Sequence, residues 1–204
     1  MSSQTHTAGI ILAAGASVRF GQLKQLIRLR GKYLVEWVLD AALKSRLDIV
    51  VLVLGHEYQS ILQALGAKAR HPQLEVVINH RYREGQSSSL KAGLKSVRKA
   101  FSSVVYLLGD QPMIHSNTIN YLLGQVQESE KDICAPVFEG QQGNPTVFKR
   151  PIYEDIMMID GDIGARNIIR NNSDRVLFVE IKDPLCFLDI DSRDDLENLL
   201  TLLP

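Results

Sequence analysis

Cysteine is scarce in this 204-residue chain, which has Cys134 and Cys186 only. They lie far apart, with no CxxC pair and no Cys/His cluster, which argues against a structural zinc site. Each sits in an apolar run, so both are expected to be reduced core thiols. The five histidines, at 6, 56, 71, 80 and 115, show no metal-ligand spacing. No sign of charge is in excess: 23 Lys and Arg balance 23 Asp and Glu, for a formal net charge of zero. The basic surplus of a general nucleic-acid-binding protein is therefore missing, and phosphate recognition must fall to a few placed groups. No apolar stretch reaches the roughly 18 residues that a membrane span needs. The first seven residues are polar and lack the apolar region of a secretory signal, so the cytoplasm is the expected compartment. Internal repeats, low-complexity linkers, GxGxxG and GxxxxGK[ST] are all absent.

What is there is a regular alternation. Hydrophobic residues make up 45% of the chain, enough for a full core. Residues 8–14, AGIILAA, form a short, glycine-stopped apolar run that reads as a buried strand. Residues 33–45 carry apolar side chains at helical spacing. Further strands are expected at 48–54, 75–78, 103–108 and 132–138, with helices at 57–65, 86–100 and 117–130. The order predicts an α/β fold, a three-layer α/β/α arrangement around a Rossmann-like, mostly parallel sheet. Beyond residue 139, Gly140, Gly143 and Pro145 interrupt the pattern. Residues 146–148 are too short to stand alone, and a hairpin or small flap over the crevice is expected. Short helices follow at 151–159 and 164–170, then strands at 176–181 and 187–190. A closing helix spans 192–202, with Ser192 as N-cap and Asp195 at the third helical position. Residues 1–7 are expected to be a disordered N-terminus, and 8–204 to form one domain.

Ligands of such sheets bind beyond the carboxyl ends of the strands, and the sharpest motifs lie there. Leu12-Ala13-Ala14-Gly15 ends the first strand, so backbone N–H groups can turn toward an anion. Arg19 and Lys24 then add two cations within one loop, a combination suited to triphosphate chemistry. Gly109-Asp110-Gln111-Pro112 follows the strand at 103–108. A lone carboxylate there can coordinate Mg²⁺, which bridges protein and phosphate oxygens. In Asp189-Ile190-Asp191, side-chain alternation along a strand would turn both carboxylates to one side. Each motif has a plainer reading: a βα turn with solvated bases, an Asp capping the next helix, and an acidic lead-in to a helix N-terminus.

The segment LAAG-AS-V-R-F-G-x-x-K resembles the signature loop of the nucleotidyltransferases related to molybdenum cofactor cytidylyltransferase and guanylyltransferase. Phe20 stands where that family usually has Met. GDQP resembles the family's metal-binding turn, and DIDSRDDL its second metal segment. Asn79-x5-Gly85-x3-Ser89-Leu90 resembles its stretch near base and ribose. Gly143-Asn144-Pro145 and Gly161-Asp162-Ile163-Gly164-Ala165-Arg166 resemble the turns on its acceptor side. For the last three, the plainer reading is helix-capping serines and incidental glycine loops.

The resemblance covers nearly the whole chain and implies a nucleotide-diphospho-sugar-transferase type of fold. It implies that Leu12, Ala13, Ala14, Gly15, Arg19, Lys24, Asn79, Gly85, Ser89 and Asp110 bind the nucleotide. Arg19 and Lys24 become phosphate ligands that stabilise the transition state. Mg²⁺ is held by Asp110 with Asp191, or by Asp189 as second choice, and Gly143, Asn144 and Pro145 face the acceptor. The implied reaction is transfer of CMP from CTP to a molybdopterin-type molybdenum cofactor with release of pyrophosphate. LAAG accompanies cytidine in the family and LAGG guanosine, so the base choice rests on Ala14. GTP as donor, or another phosphorylated acceptor, stays open. A glycosyltransferase using Asp189–Asp191 as DxD and a nucleotide sensor are rival readings, and neither releases pyrophosphate. The implied partners are the two substrates and, transiently, a molybdoenzyme or its chaperone, with no nucleic acid and no membrane.

Asp110→Asn removes a charge at nearly constant shape. It is expected to keep the fold, by circular dichroism, while losing nucleotidyl transfer and Mg²⁺ affinity.

Overall fold

The computed structural model describes residues 6–16 and 23–203. Its strands and helices, in chain order, begin with β1 (Thr7–Ala13), the two-residue strands β2 (Arg28–Leu29) and β3 (Lys32–Tyr33), and α1 (Leu34–Leu43). There follow β4 (Ile49–Leu54), α2 (Tyr58–Leu65), β5 (Leu74–Ile78), α3 (Gln86–Val97), β6 (Ser103–Leu108) and α4 (Ser116–Glu128). The second half holds β7 (Ile133–Phe138), β8 (Gln141–Gln142), β9 (Thr146–Lys149), α5 (Tyr153–Met158), α6 (Ala165–Asn171), β10 (Val176–Glu180) and α7 (Arg193–Leu202). The main sheet runs β10-β7-β9-β6-β1-β4-β5, with β8 beside β7. The pairs β1–β4, β1–β6, β4–β5 and β7–β10 are parallel.

Strand alternation builds both outer layers. Ile11 and Ala13 of β1, Leu52 and Leu54 of β4, and Val105 and Leu107 of β6 share one core with α1, α2 and α4. Their neighbours Ala8, Ile10, Val51, Val53, Val104 and Tyr106 share the other with α3, α5 and α6. A sheet buried on both faces needs apolar side chains at consecutive positions, and IVVLVL and SVVYLL supply them. Cys134 and Cys186 are free and buried. Burial pushes their thiols up, to about 12 and about 11, so both stay protonated and unreactive at neutral pH.

Three expectations need correction. Residues 146–148 do not belong to a flap. They form most of β9, which enters the sheet between β6 and β7, antiparallel to both. Its alternation is invisible in so short a run, because Thr146, Val147 and Phe148 are all fully buried. The hairpin itself is present, as β7 and β8. Residues 187–190 are not a strand: a 3₁₀ turn over Pro184–Phe187 opens into extended chain. Proline and an Asp183 side chain accepting from Leu185 N favour the turn there. Thr7 lies inside the fold, pairing with Ser103 through both backbone and a hydroxyl–hydroxyl bond of 2.5 Å. The closing helix stands as expected, with Ser192 and Asp195 in a reciprocal capping box.

Phe148 is fully buried and packs edge-on to Tyr106, ring centroids 5.9 Å apart. Phe148→Ala is therefore expected to cost roughly 3–5 kcal/mol in urea unfolding, and Phe148→Leu clearly less.

Candidate active site

The parallel register of β1 and β6 sets Leu12 beside Leu108. One residue on, Gly109 N donates to Leu12 O at 3.0 Å. A Cβ on Gly109 would stand 3.0 Å from the Ala13 methyl, so glycine permits this approach. Ala14-Gly15 and Asp110 thereby leave the sheet side by side. Gln25 fixes the return of the loop: its buried amide donates to Ala13 O at 3.1 Å and Gly15 O at 3.0 Å. Lys24 is its neighbour, at the start of a 3₁₀ turn.

The third group of residues arrives through a separate small core. Ile27, Leu29 and Leu34 pack against Ile190 and Leu199. Ile190 N also donates to Asp110 O at 3.1 Å. The residues on either side of Ile190, Asp189 and Asp191, are thus carried to Asp110 although they lie some 80 positions away in the chain. Lys24 Nζ donates to Asp110 Oδ2 at 2.6 Å and to Asp191 Oδ1 at 2.7 Å. Burial alone would lower the Lys24 pKa. Asp110 and then Asp191 outweigh it, so the ammonium is held above its ordinary range.

Asp189, like Asp110, is partly buried. Burial, then the charge of Asp110, raise its carboxyl to about 6, against an opposing hydrogen bond from Gln111. Asp110 Oδ1 and Asp189 Oδ1 are buried and lack a hydrogen-bond partner among the described residues. Unsatisfied carboxylate oxygens are hard donors, and they suit a small divalent cation such as Mg²⁺ or Mn²⁺. No group of three or more metal-ligating side chains stands together among the described residues. A cation here would therefore take one or two carboxylates and complete its shell from phosphates and water, as Mg²⁺ commonly does.

Two cavities adjoin at this end of the sheet. The first is lined by Ala14, Gly15, Tyr82, Gly85, Ser89 and Asp110. The second is lined by Tyr106, Asn144, Ile163 and Arg166, among others. Leu12, Gln86, Leu108 and Asp162 border both. Gly85 has φ +98 and lies so close to the Gly161 backbone that no Cβ fits. Ser87 N and Oγ both donate to Gly161 O, and Gln86 N to Asp162 Oδ1, so the 161–164 turn is latched onto the start of α3. The serines do not cap α3, whose N-cap is Gly85 with no side-chain bond.

The remaining sequence candidates fall as follows. Asn79 does not line the first cavity. Its amide donates to Ser88 and Ser89 hydroxyls at 2.8 and 3.0 Å, so it braces Ser89 from behind. Ala13 turns its methyl into the core. Gly143 packs under the Phe187 ring, and of the Gly143-Asn144-Pro145 turn Asn144 lines the second cavity. Arg19 lies outside the described residues. Sequence reasoning missed the buried Gln25 and the raised pKa of Asp189. A glutamine beside a lysine gives no sign of burial, and Asp189 and Asp191 look alike until the fold separates them.

Asp189 yields a signed prediction. Its folded pKa is raised, so ionisation is disfavoured in the folded protein: stability is lost as pH climbs from about 4 to about 6 and stays lost above. In metal-free protein, Asp189→Asn is expected to raise Tm at pH 7.5, and the gain over wild type to vanish by pH 4. Differential scanning calorimetry of both proteins reads this directly.

Comparison with known proteins agrees with the geometry. The chain matches the MobA-like NTP transferase domain over residues 9–176. It is 31% identical over 196 residues to the purine catabolism protein PucB of Bacillus subtilis, covering 92% of each chain. It is 27% identical over 207 residues to a probable molybdenum cofactor guanylyltransferase of Pyrococcus furiosus, covering 96% of this chain and 97% of that one. Among solved structures, Rv0371c of Mycobacterium tuberculosis superposes with TM-score 0.84 at 25% identity, over 98% of this chain and 99% of the other. Another structure of that protein is a complex with manganese. No helix among the described residues is long and apolar enough to cross a membrane. With a matched region that runs from β1 into β10 and takes in Lys24 and Asp110, this chain belongs to the MobA-like NTP transferase family and is a nucleotidyltransferase.

Proposed function

We propose that the protein transfers CMP from CTP to a molybdopterin-type molybdenum cofactor, with Mg²⁺ held by Asp110 and Asp191. The observation that carries this reading is the meeting of Lys24, Asp110 and Asp191 beside two cavities that share a border. The reaction needs a donor and an acceptor side by side, with positive charge placed between them. The archaeal relative's name supplies the acceptor class. We read residues 8–204 as one nucleotidyltransferase domain. The two reduced thiols are in keeping with a reducing compartment, the cytoplasm. Hand-over of the product to a molybdoenzyme or its chaperone follows from this role.

In this reading the triphosphate lies over Gly15, with the base and ribose against Ala14, Tyr82 and Ser89. Asn144 and Arg166 orient the acceptor's terminal phosphate in the second cavity. One of its oxygens attacks the α-phosphorus in line, forming a P–O bond as the bond to pyrophosphate breaks. The attacking phosphate is already anionic, so no general base and no covalent enzyme intermediate are required. Lys24 and Arg19 neutralise the charge that grows on the α-phosphoryl and leaving oxygens, where a preorganised cation is worth about 10²–10³ in rate. Mg²⁺ held by Asp110 and Asp191 would supply further positive charge for the transfer.

Measuring pyrophosphate release with each of the four triphosphates plus molybdenum cofactor tests the assignment. CTP is expected to be preferred, and Ala14→Gly to shift the preference toward GTP. The Ala14 methyl is buried at the rim of the first cavity, and one methyl group discriminates by only ~1–3 kcal/mol. A wild-type enzyme that favours GTP would overturn the choice of base. Absence of pyrophosphate with every triphosphate would overturn the reading as a whole.

A further inference from the structure

The ammonium of Lys24 stands where a cation bridging the two carboxylates would stand. It contacts both Asp110 and Asp191, at 2.6 and 2.7 Å, and only 15% of its side chain is exposed. Two anchors fix the backbone from which it extends, without help from either carboxylate. Gln25 is tied to Ala13 O and Gly15 O, and Ile27 N closes the 3₁₀ turn onto Lys24 O at 3.1 Å. Asp195, four residues beyond Asp191, is committed to the Ser192 cap at 2.7 Å. Asp110 and Asp191 therefore share one ammonium. An ion and an ammonium of fixed origin cannot both occupy the gap between Asp110 and Asp191, and each is attracted by the same two carboxylates.

We propose that Lys24 is a built-in competitor for the metal: in the nucleotide-free enzyme its ammonium holds Asp110 and Asp191 and keeps a divalent cation from them. The proposal rests on reading this as the triphosphate and metal site. It assigns Lys24 a second role besides charge neutralisation. A triphosphate brings its own negative charge and draws the ammonium from the carboxylates to the phosphates, so the two oxygens become available as the nucleotide arrives. The order of loading follows: the divalent cation enters with the triphosphate, and the empty enzyme binds it poorly. The site thus avoids leaving Asp110 and Asp191 unneutralised in the free protein, where their repulsion would destabilise the fold.

The test uses Mn²⁺ alone, with no nucleotide or acceptor, and reads free Mn²⁺ by electron paramagnetic resonance during titration of the full chain. Lys24→Met keeps the length of the stem and removes the charge. It is expected to bind Mn²⁺ roughly tenfold or more tightly than wild type. Lys24→Gln, a milder change should the methionine variant fold poorly, is expected to move the same way. Lys24→Arg keeps the charge and is expected to stay as weak as wild type. Asp110→Asn in the Lys24→Met background is expected to abolish the gain. Equal affinities in wild type and in the neutral variants would overturn the proposal, as would a gain that survives Asp110→Asn. The result is independent of turnover. A tightened Mn²⁺ site in an enzyme that transfers no nucleotide would sink the proposed function and leave this inference standing. An active enzyme with unchanged Mn²⁺ affinity would do the reverse.

Discussion

The parallel pairing of β1 with β6 is the constraint on which the rest depends. It ends both strands at one level, Leu12 beside Leu108, and continues for one more hydrogen bond through Gly109. Everything chemical in the molecule is hung from that line. Ala14 and Gly15 leave on one side and Asp110 on the other. Gln25 ties the returning loop to the same carbonyls. A shift of one residue in this register would turn every β1 side chain to the opposite face. Ile11 and Ile10 are each fully buried in different cores, so the register is specified by both layers at once.

Charge is the second constraint. Asp110, Asp189 and Asp191 act on one another's charge, and partly buried like charges are costly unless paired or neutralised. The fold answers in three ways. Lys24 pairs with two of the carboxylates. Asp189 is pushed toward its neutral form. Asp191 is left half-exposed to water. The small core around Ile190 favours this arrangement, since Ile190 buries together with Ile27, Leu34 and Leu199 and so brings its acidic neighbours toward Lys24. Apolar packing thus supplies the energy that charge repulsion opposes, as at other preorganised sites.

The latch between the 161–164 turn and α3 explains how two cavities keep a common wall. Gly85 approaches Gly161 without a Cβ, and Ser87 holds that contact through two bonds to one carbonyl. Asp162 and Gln86 then face both cavities. A loop that in sequence looks like incidental glycines fixes the spacing between the two cavities.

By itself the sequence determined the layers and the chemistry. IVVLVL and SVVYLL have room for no other fate than strands buried on both faces, and the helices between them carry apolar stripes at the right period. The motifs at Leu12–Gly15, Lys24, Asp110 and Asp189–Asp191 were legible because each depends on neighbours along the chain. Only the tertiary structure decided how those pieces meet. It inserted β9 into the sheet, where three consecutive buried side chains had hidden its alternation. It replaced the expected strand at 187–190 with a proline-led turn, put Asn79 behind Ser89, buried Gln25, and separated Asp189 from Asp191. The physical reason is the same in each case. Propensity and periodicity act over a few residues, whereas burial, pairing of charges and the partner of a buried amide are set by groups distant in sequence that only packing brings together.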